Sequence, residues 1–256
     1  MTHWQKKIVM ITGASSGIGR GLALELARRG AAIGLVARRS ELLAEIVTEI
    51  EAVNGKALAL VADVNDAEAL RREADRLRRE LGPIDVLVAN AGIATVDHAV
   101  DLHPAQAASV IKVNVLGAVN SVAAVLPEMV ARGEGQLVAI SSLSAYRGLP
   151  KSAVYCASKA ALSCFFESVR IDIQNSGVDV TIIHPGFIKT PLTAGRQSKM
   201  PFLMELDDAV EKMIRAIEKR KKTVAFPWQL AGIVRLGMVM PNFMYDRIAA
   251  KNSFRG

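Results

Sequence analysis

Tyr155 and Lys159 stand four residues apart in the run Tyr155-Cys156-Ala157-Ser158-Lys159, so a helix there stacks a phenol and an ammonium on one face. A free phenol titrates near pH 10, too high for acid–base work at neutral pH. An ammonium one turn away favours the phenolate and lowers that value. A solvated helix face gives the same spacing, so the pair gains meaning only with company. Company comes from Thr12-Gly13-Ala14-Ser15-Ser16-Gly17-Ile18-Gly19, a glycine-rich turn between a β-type run and a helical one. Glycines let the backbone turn tightly and approach a pyrophosphate, and the following helix start offers unpaired N–H groups. A plain structural turn needs glycine too; the position, after a first strand and opening a helix, is what the dinucleotide motif requires.

About twenty residues on, where an acid would hold an unphosphorylated ribose, the chain has Ala37-Arg38-Arg39, with its first carboxylate only at Glu41. Guanidinium groups suit a 2′-phosphate, which favours NADP(H) over NAD(H). A solvated arginine pair at a sheet edge is the plainer alternative.

The elements that must carry these residues alternate. Residues 8–12, 32–37, 57–62, 86–89, 136–141, 178–184 and 224–226 read as strands. Residues 17–29, 41–53, 67–81, 104–132 (in one or two pieces), 153–175 and 207–220 read as helices. Strands that are near-continuous apolar runs are buried on both faces. The alternation therefore predicts α/β architecture: a doubly wound, Rossmann-type parallel sheet with helices on both faces. The single domain spans 1–256, with 186–206 as a substrate lid and 227–256 as an apolar C-terminal extension.

Composition narrows the class. The 256 residues carry 32 Lys+Arg against 25 Asp+Glu, a net charge of +7, and 51% are hydrophobic. That excludes a disordered chain and supports a sizeable core. Cys156 and Cys164 fall on one expected helix about 12 Å apart, too far for a disulfide, so a reducing, cytoplasmic setting is the expectation. No run reaches about 18 uncharged apolar residues, which argues against a membrane-spanning helix. His3, His98, His103 and His184 show no ligand spacing, so no metal is expected. Basic residues without interleaved aromatics argue against nucleic acid.

Taken together, 12–19 and Tyr155 with Lys159 resemble the short-chain dehydrogenase/reductase family in its single-domain branch. Asp63-Val64, Asn90-Ala91-Gly92, Asn114, Ser141-Ser142 and Pro185-Gly186-Phe187-Ile188-Lys189-Thr190 follow in the family's order, and the likeness covers about residues 6–226. The family often has Asn where this chain has Ala89. The resemblance implies hydride transfer between NADP(H) and a carbonyl or alcohol. Tyr155 is then the acid–base, Ser142 rather than Ser141 the donor to the substrate oxygen, and Lys159 the partner of the nicotinamide ribose. Asn114 would hold a relay water; a mid-helix Asn is otherwise a poor choice. Gly13, Ser15, Ser16, Gly17, Ile18 and Gly19 would cradle the pyrophosphate, and Asp63 and Val64 frame the adenine. Asn90, Ala91 and Gly92 would pass the adenosine ribose, while Pro185, Gly186, Ile188 and Thr190 close over the carboxamide. It also implies a homodimer or homotetramer through the long helices 104–132 and 153–175.

Substrate choice falls to the C-terminal quarter. Six of the nine methionines lie between Met200 and Met244, beside Phe202, Trp228, Leu230, Ile233, Leu236, Phe243 and Tyr245. Adaptable apolar walls suit a hydrophobic substrate; ordinary core and oligomer packing is the alternative. Lys212, Arg215, Lys219, Arg220, Lys221 and Lys222 precede that stretch, either as a solvated helix end or as a foot for peripheral membrane contact. A non-catalytic NADP(H)-binding protein on the same fold is the reading from another class.

Overall fold

In the computed structural model, residues 3–194 and 200–251 are described. The first half runs β1 (Ile8–Thr12), α1 (Gly17–Arg28), β2 (Ala32–Ala37), α2 (Ser40–Glu51), β3 (Lys56–Val61), α3 (Ala67–Leu81) and β4 (Val86–Ala89). Then come α4 (Pro104–Ile111), α5 (Gly117–Arg132), β5 (Gly135–Ile140), α6 (Ala153–Asp172) and β6 (Val178–Pro185). The chain closes with α7 (Leu206–Glu218), β7 (Thr223–Phe226), α8 (Trp228–Val239) and α9 (Asn242–Lys251).

Every strand pair is parallel, in the order β3-β2-β1-β4-β5-β6-β7. Leu22, Leu26, Ile46, Met213 and Ile217 of α1, α2 and α7 pack on one face. Leu70, Leu77, Val122 and Phe166 of α3, α5 and α6 pack on the other. β1, β4 and β5 are buried along their whole length, which is why they read as unbroken apolar runs.

The strand order reverses between β1 and β4, and the crevice at their carboxyl ends is where such sheets bind ligands. That pair is registered over only three residues, Val9↔Val86, Met10↔Leu87 and Ile11↔Val88, fewer than any other pair in the sheet. Side chains extend it at both ends. Asp85 accepts the Ile8 N–H at 2.8 Å below the ladder, and above it Thr12 Oγ1 accepts the N–H groups of Asn90 and Ala91, each at 3.1 Å.

Several boundaries differ from the sequence reading. Residues 104–132 are one helical run, with a π-helical turn at Lys112–Leu116 between α4 and α5. Its length and apolarity match those of a membrane-crossing segment, which a count of uninterrupted uncharged residues passes over; here α5 packs on α3 and β4. The expected extension at 227–256 holds two helices broken at Pro241, and 252–256 lie outside the described residues. The expected lid at 186–206 is pinned where its ends pair, Met204 N–H to Phe187 O and Lys189 N–H to Met204 O, each at 3.0 Å; 195–199 lie outside the described residues. Lys219–Lys222 precede β7 and α8 follows it, so a strand of about 13 Å separates the basic residues from the apolar helix. Arg220 there pairs with Asp179.

Candidate active site

The glycine turn is shaped by what it touches. Gly13 and Gly17 hold φ of 66° and 54°, the left-handed region that glycine enters at no steric cost. A Cβ on Gly19 would stand 2.4 Å from the Gly13 carbonyl oxygen, and one on Gly13 would stand 2.8 Å from the Ala91 Cα. The loop thus lies directly on 90–92, and Asn90 Nδ2 ties it down by donating to the carbonyls of Thr12 at 2.9 Å and Gly13 at 3.2 Å. Ser16 caps α1 without a side-chain bond, so the helix start keeps its first N–H groups for an anion. Arg39 donates to Ser15 Oγ at 2.8 Å, and Arg38 stands 3.7 Å from Asp63. Two guanidinium groups therefore rim a cradle that fits a phosphate-bearing dinucleotide.

One cavity of about 1030 Å³ joins that cradle to Ser142, Tyr155 and Lys159. Every residue expected from sequence lines it except Gly19, which lies against the back of the loop, and the fully buried Asn114. α6 delivers Tyr155 and Lys159 on one face, with Nζ 5.9 Å from the Tyr155 ring centre. Lys159 is buried and donates to the Ile140 carbonyl at 2.8 Å. Burial alone pulls its ammonium down to about 8, because a low-dielectric site disfavours the charged form.

The structure separates the two serines. Ser141 Oγ bonds the Lys159 carbonyl at 3.1 Å and Ser163 Oγ at 2.7 Å, fastening β5 to α6. Ser142 Oγ accepts the Ser144 N–H at 3.1 Å, and its own O–H has no acceptor among the described residues. His184 Nδ1 donates to the Ser142 carbonyl at 3.1 Å while its ring stacks on Tyr146, centres 4.7 Å apart. Burial holds that imidazole below its ordinary value. Asn114 sits in the π turn. Its Oδ1 accepts the Ile93 N–H at 2.8 Å, and Nδ2 donates to Ile93 O and Ser158 Oγ, both at 2.9 Å. Both amide hydrogens are committed to protein, which leaves the second lone pair of Oδ1 as the side chain's remaining place for a water.

A profile of the short chain dehydrogenases matches residues 7–201. This chain belongs to that family. It is 43% identical over 251 residues to an oxidoreductase of Myxococcus xanthus, covering 98% of this chain and 99% of that one. A ketoacyl reductase of Nostoc sp. is 31% identical over 228 residues, 88% of this chain and 79% of its own. Among solved structures, a gluconate 5-dehydrogenase from Burkholderia cenocepacia in complex with NADP and tartrate superposes with a TM-score of 0.80 at 26% identity, covering 87% of this chain and 94% of that one. A short chain dehydrogenase from Mycobacterium paratuberculosis bound to NAD gives 0.79 at 28%, covering 87% and 95%.

In this chain α8 and α9 lie beyond the matched residues, yet Leu230 and Val234 of α8, Met240 just after it and Tyr245 of α9 line the cavity. Arg147, which the sequence reading passed over, joins them to the loop between Ser142 and Tyr155. Its signal was faint: it is the one charge in 135–150.

Proposed function

We propose that this dehydrogenase interconverts a carbonyl and an alcohol on a hydrophobic small molecule, using NADP(H), with Tyr155 as acid–base. The carrying observation is that Ser142, Tyr155 and Lys159 share one cavity with the glycine cradle and the Arg38–Arg39 rim. Solved relatives bind NADP in one case and NAD in another; the two guanidinium groups, with no competing acid at the end of β2, favour NADP(H).

Gly13, Ser15, Ser16 and Gly17 would hold the pyrophosphate, Arg38 and Arg39 the 2′-phosphate, and Asp63 and Val64 the adenine. Lys159 would hold the nicotinamide ribose, with Pro185, Gly186, Ile188 and Thr190 at the carboxamide. Bound there, the nicotinamide supplies or accepts the hydride. Ser142 donates its hydroxyl to the substrate oxygen as negative charge grows on it. Tyr155 Oη gives its proton to that oxygen in reduction and takes it back in oxidation. The Lys159 ammonium stabilises the phenolate left behind. Asn114 keeps the 92–93 backbone against α6 and so fixes the floor beneath Lys159. A homodimer or homotetramer through the long helices belongs to the same reading, with Ile111 and Leu116 exposed on that surface.

The test is NADPH oxidation against ketones, aldehydes and acyl carbonyls graded by size. Turnover of apolar carbonyls, faster with NADPH than with NADH by kcat/KM, is the expected result. Tight NADPH binding with a flat response across the panel would overturn the catalytic reading in favour of a binding protein.

A further inference from the structure

α8 ends at Val239, and the carbonyls of a last helical turn have no partner within the helix. Arg147 supplies one. Nη1 donates to the carbonyls of Gly237 and, at 2.8 Å, of Met240. Nη2 donates to Asn242 Oδ1 at 2.8 Å. The guanidinium also lies 3.8 Å over the Tyr245 ring, and Tyr245 returns the contact by donating its hydroxyl to the Gly148 carbonyl at 2.6 Å. A planar cation at a helix C-terminus is favoured by the dipole, and its fork reaches two carbonyls and an amide at once, as a lysine cannot. The clasp thus binds both sides of the Pro241 break to the loop that carries Ser142.

What it holds in place is an apolar wall. Among the described residues, those that α8 and α9 contribute to the cavity carry no charged side chain. Leu230 packs at the inner end with Leu143 and Phe187. Further out, Ile233, Leu236 and Ile248 line the cavity yet stay 59%, 62% and 47% exposed. Apolar surface therefore runs outward from Tyr155, uncovered, with Arg147 at its edge already engaged. A sugar acid or phosphate ester would find no counter-charge along it; an alkyl chain would cover it.

We infer that Arg147 is a positioning residue which fastens the α8–α9 pair across the cleft, and that the wall it holds takes the hydrocarbon chain of an elongated ketone or acyl carbonyl whose oxygen sits at Tyr155. The placement of that oxygen rests on the carbonyl reading above; the wall does not.

Methyl n-alkyl ketones from butanone to decanone test it, with NADP(H)-loaded protein. In the wild type, kcat/KM rises roughly fourfold per methylene until the wall is covered. In Arg147→Ala that rise flattens to about twofold or less, KM carrying the loss, while butanone turnover and NADPH affinity stay near wild type. Tyr245→Phe, which keeps the stacked ring, falls between the two. Amide exchange across 228–251 speeds up in Arg147→Ala and is slowed in the wild type by decanone but not by butanone. An unchanged chain-length slope in both variants, or decanone that leaves exchange at 228–251 unaltered, overturns the proposal. Decanone protection without turnover of any ketone would keep the wall and remove the carbonyl reading; should Arg147→Ala fail to fold, Tyr245→Phe decides.

Discussion

Replacing Lys159 with Met is expected to make the protein more stable at neutral pH while removing its activity. The ammonium is held at about 8 against an ordinary 10.5, by burial. That difference amounts to about 3 kcal/mol against the charged form. Methionine has similar reach and no charge, so it relieves this, but it gives up the bond to the Ile140 carbonyl, worth about 1–2 kcal/mol. The balance is about 1–2 kcal/mol in favour of the variant at pH 7, or roughly 2–6 °C in Tm for a chain of this size. The pH dependence is sharper still. Above about 8 the folded protein has released this proton, whereas the unfolded chain keeps it to about 10.5. The unfolded state binds more protons in that interval, so wild-type stability gains with rising pH there, relative to the variant. The two stability curves should therefore cross between these values. Urea unfolding of both proteins without cofactor, at fixed pH across that range, measures the difference directly, and other titrating groups cancel. A variant less stable at neutral pH, or a difference that stays flat through the interval, would refute the burial cost assigned to Lys159.

Tyr155→Phe should cut kcat at least a hundredfold and leave NADPH affinity, read by fluorescence titration, nearly unchanged; residual turnover above that level would remove the tyrosine from its role. Arg39→Ala loses a charged contact to the 2′-phosphate and is expected to raise KM for NADPH by about 10–100-fold, with KM for NADH altered less than about threefold in the same steady-state assay. Gly19→Ala puts a methyl 2.4 Å from the Gly13 oxygen; lost nucleotide binding in calorimetry, with a lower Tm, is the expected outcome. Asn114→Ala strands the N–H and carbonyl of Ile93 and leaves Ser158 Oγ with only its bond to the Tyr155 carbonyl. A loss of about 2–4 kcal/mol in urea unfolding follows, even without cofactor.

The sheet was legible because strands buried on both faces have to be apolar throughout, and short segments such as 86–89 stand out between polar helix ends. The site was legible where chemistry demands a residue type at a local spacing, as in 12–19 and Tyr155 with Lys159. What stayed hidden depends on partners distant along the chain. Ser141 and Ser142 are neighbours of one type; only the packing of β5 on α6 turns Ser141 to Ser163. Arg147 meets carbonyls some ninety residues away, Gly237 and Met240, and no spacing rule reaches that far. The π turn leaves no periodic trace; the mid-helix Asn114 pointed to a role in the site and not to the turn that carries it. Trp4, ahead of the first strand, is 1% exposed and donates to Glu218 at 2.6 Å, so the short lead-in is part of the core. α8 and α9 went unassigned because their apolar residues are not confined to one face.

The three-residue register between β1 and β4 has a thermodynamic consequence. The sheet is two half-sheets, β3-β2-β1 and β4 through β7, joined by its shortest ladder and by the side chains of Asp85, Thr12 and Asn90. Two of those three also shape the nucleotide loop. A dinucleotide seated across this seam would brace the halves, so its binding energy would oppose their parting. Reciprocally, any substitution that loosens the seam would weaken nucleotide affinity from outside the pocket. Cofactor concentration would then act on the resistance of the whole chain to unfolding, and not on catalysis alone.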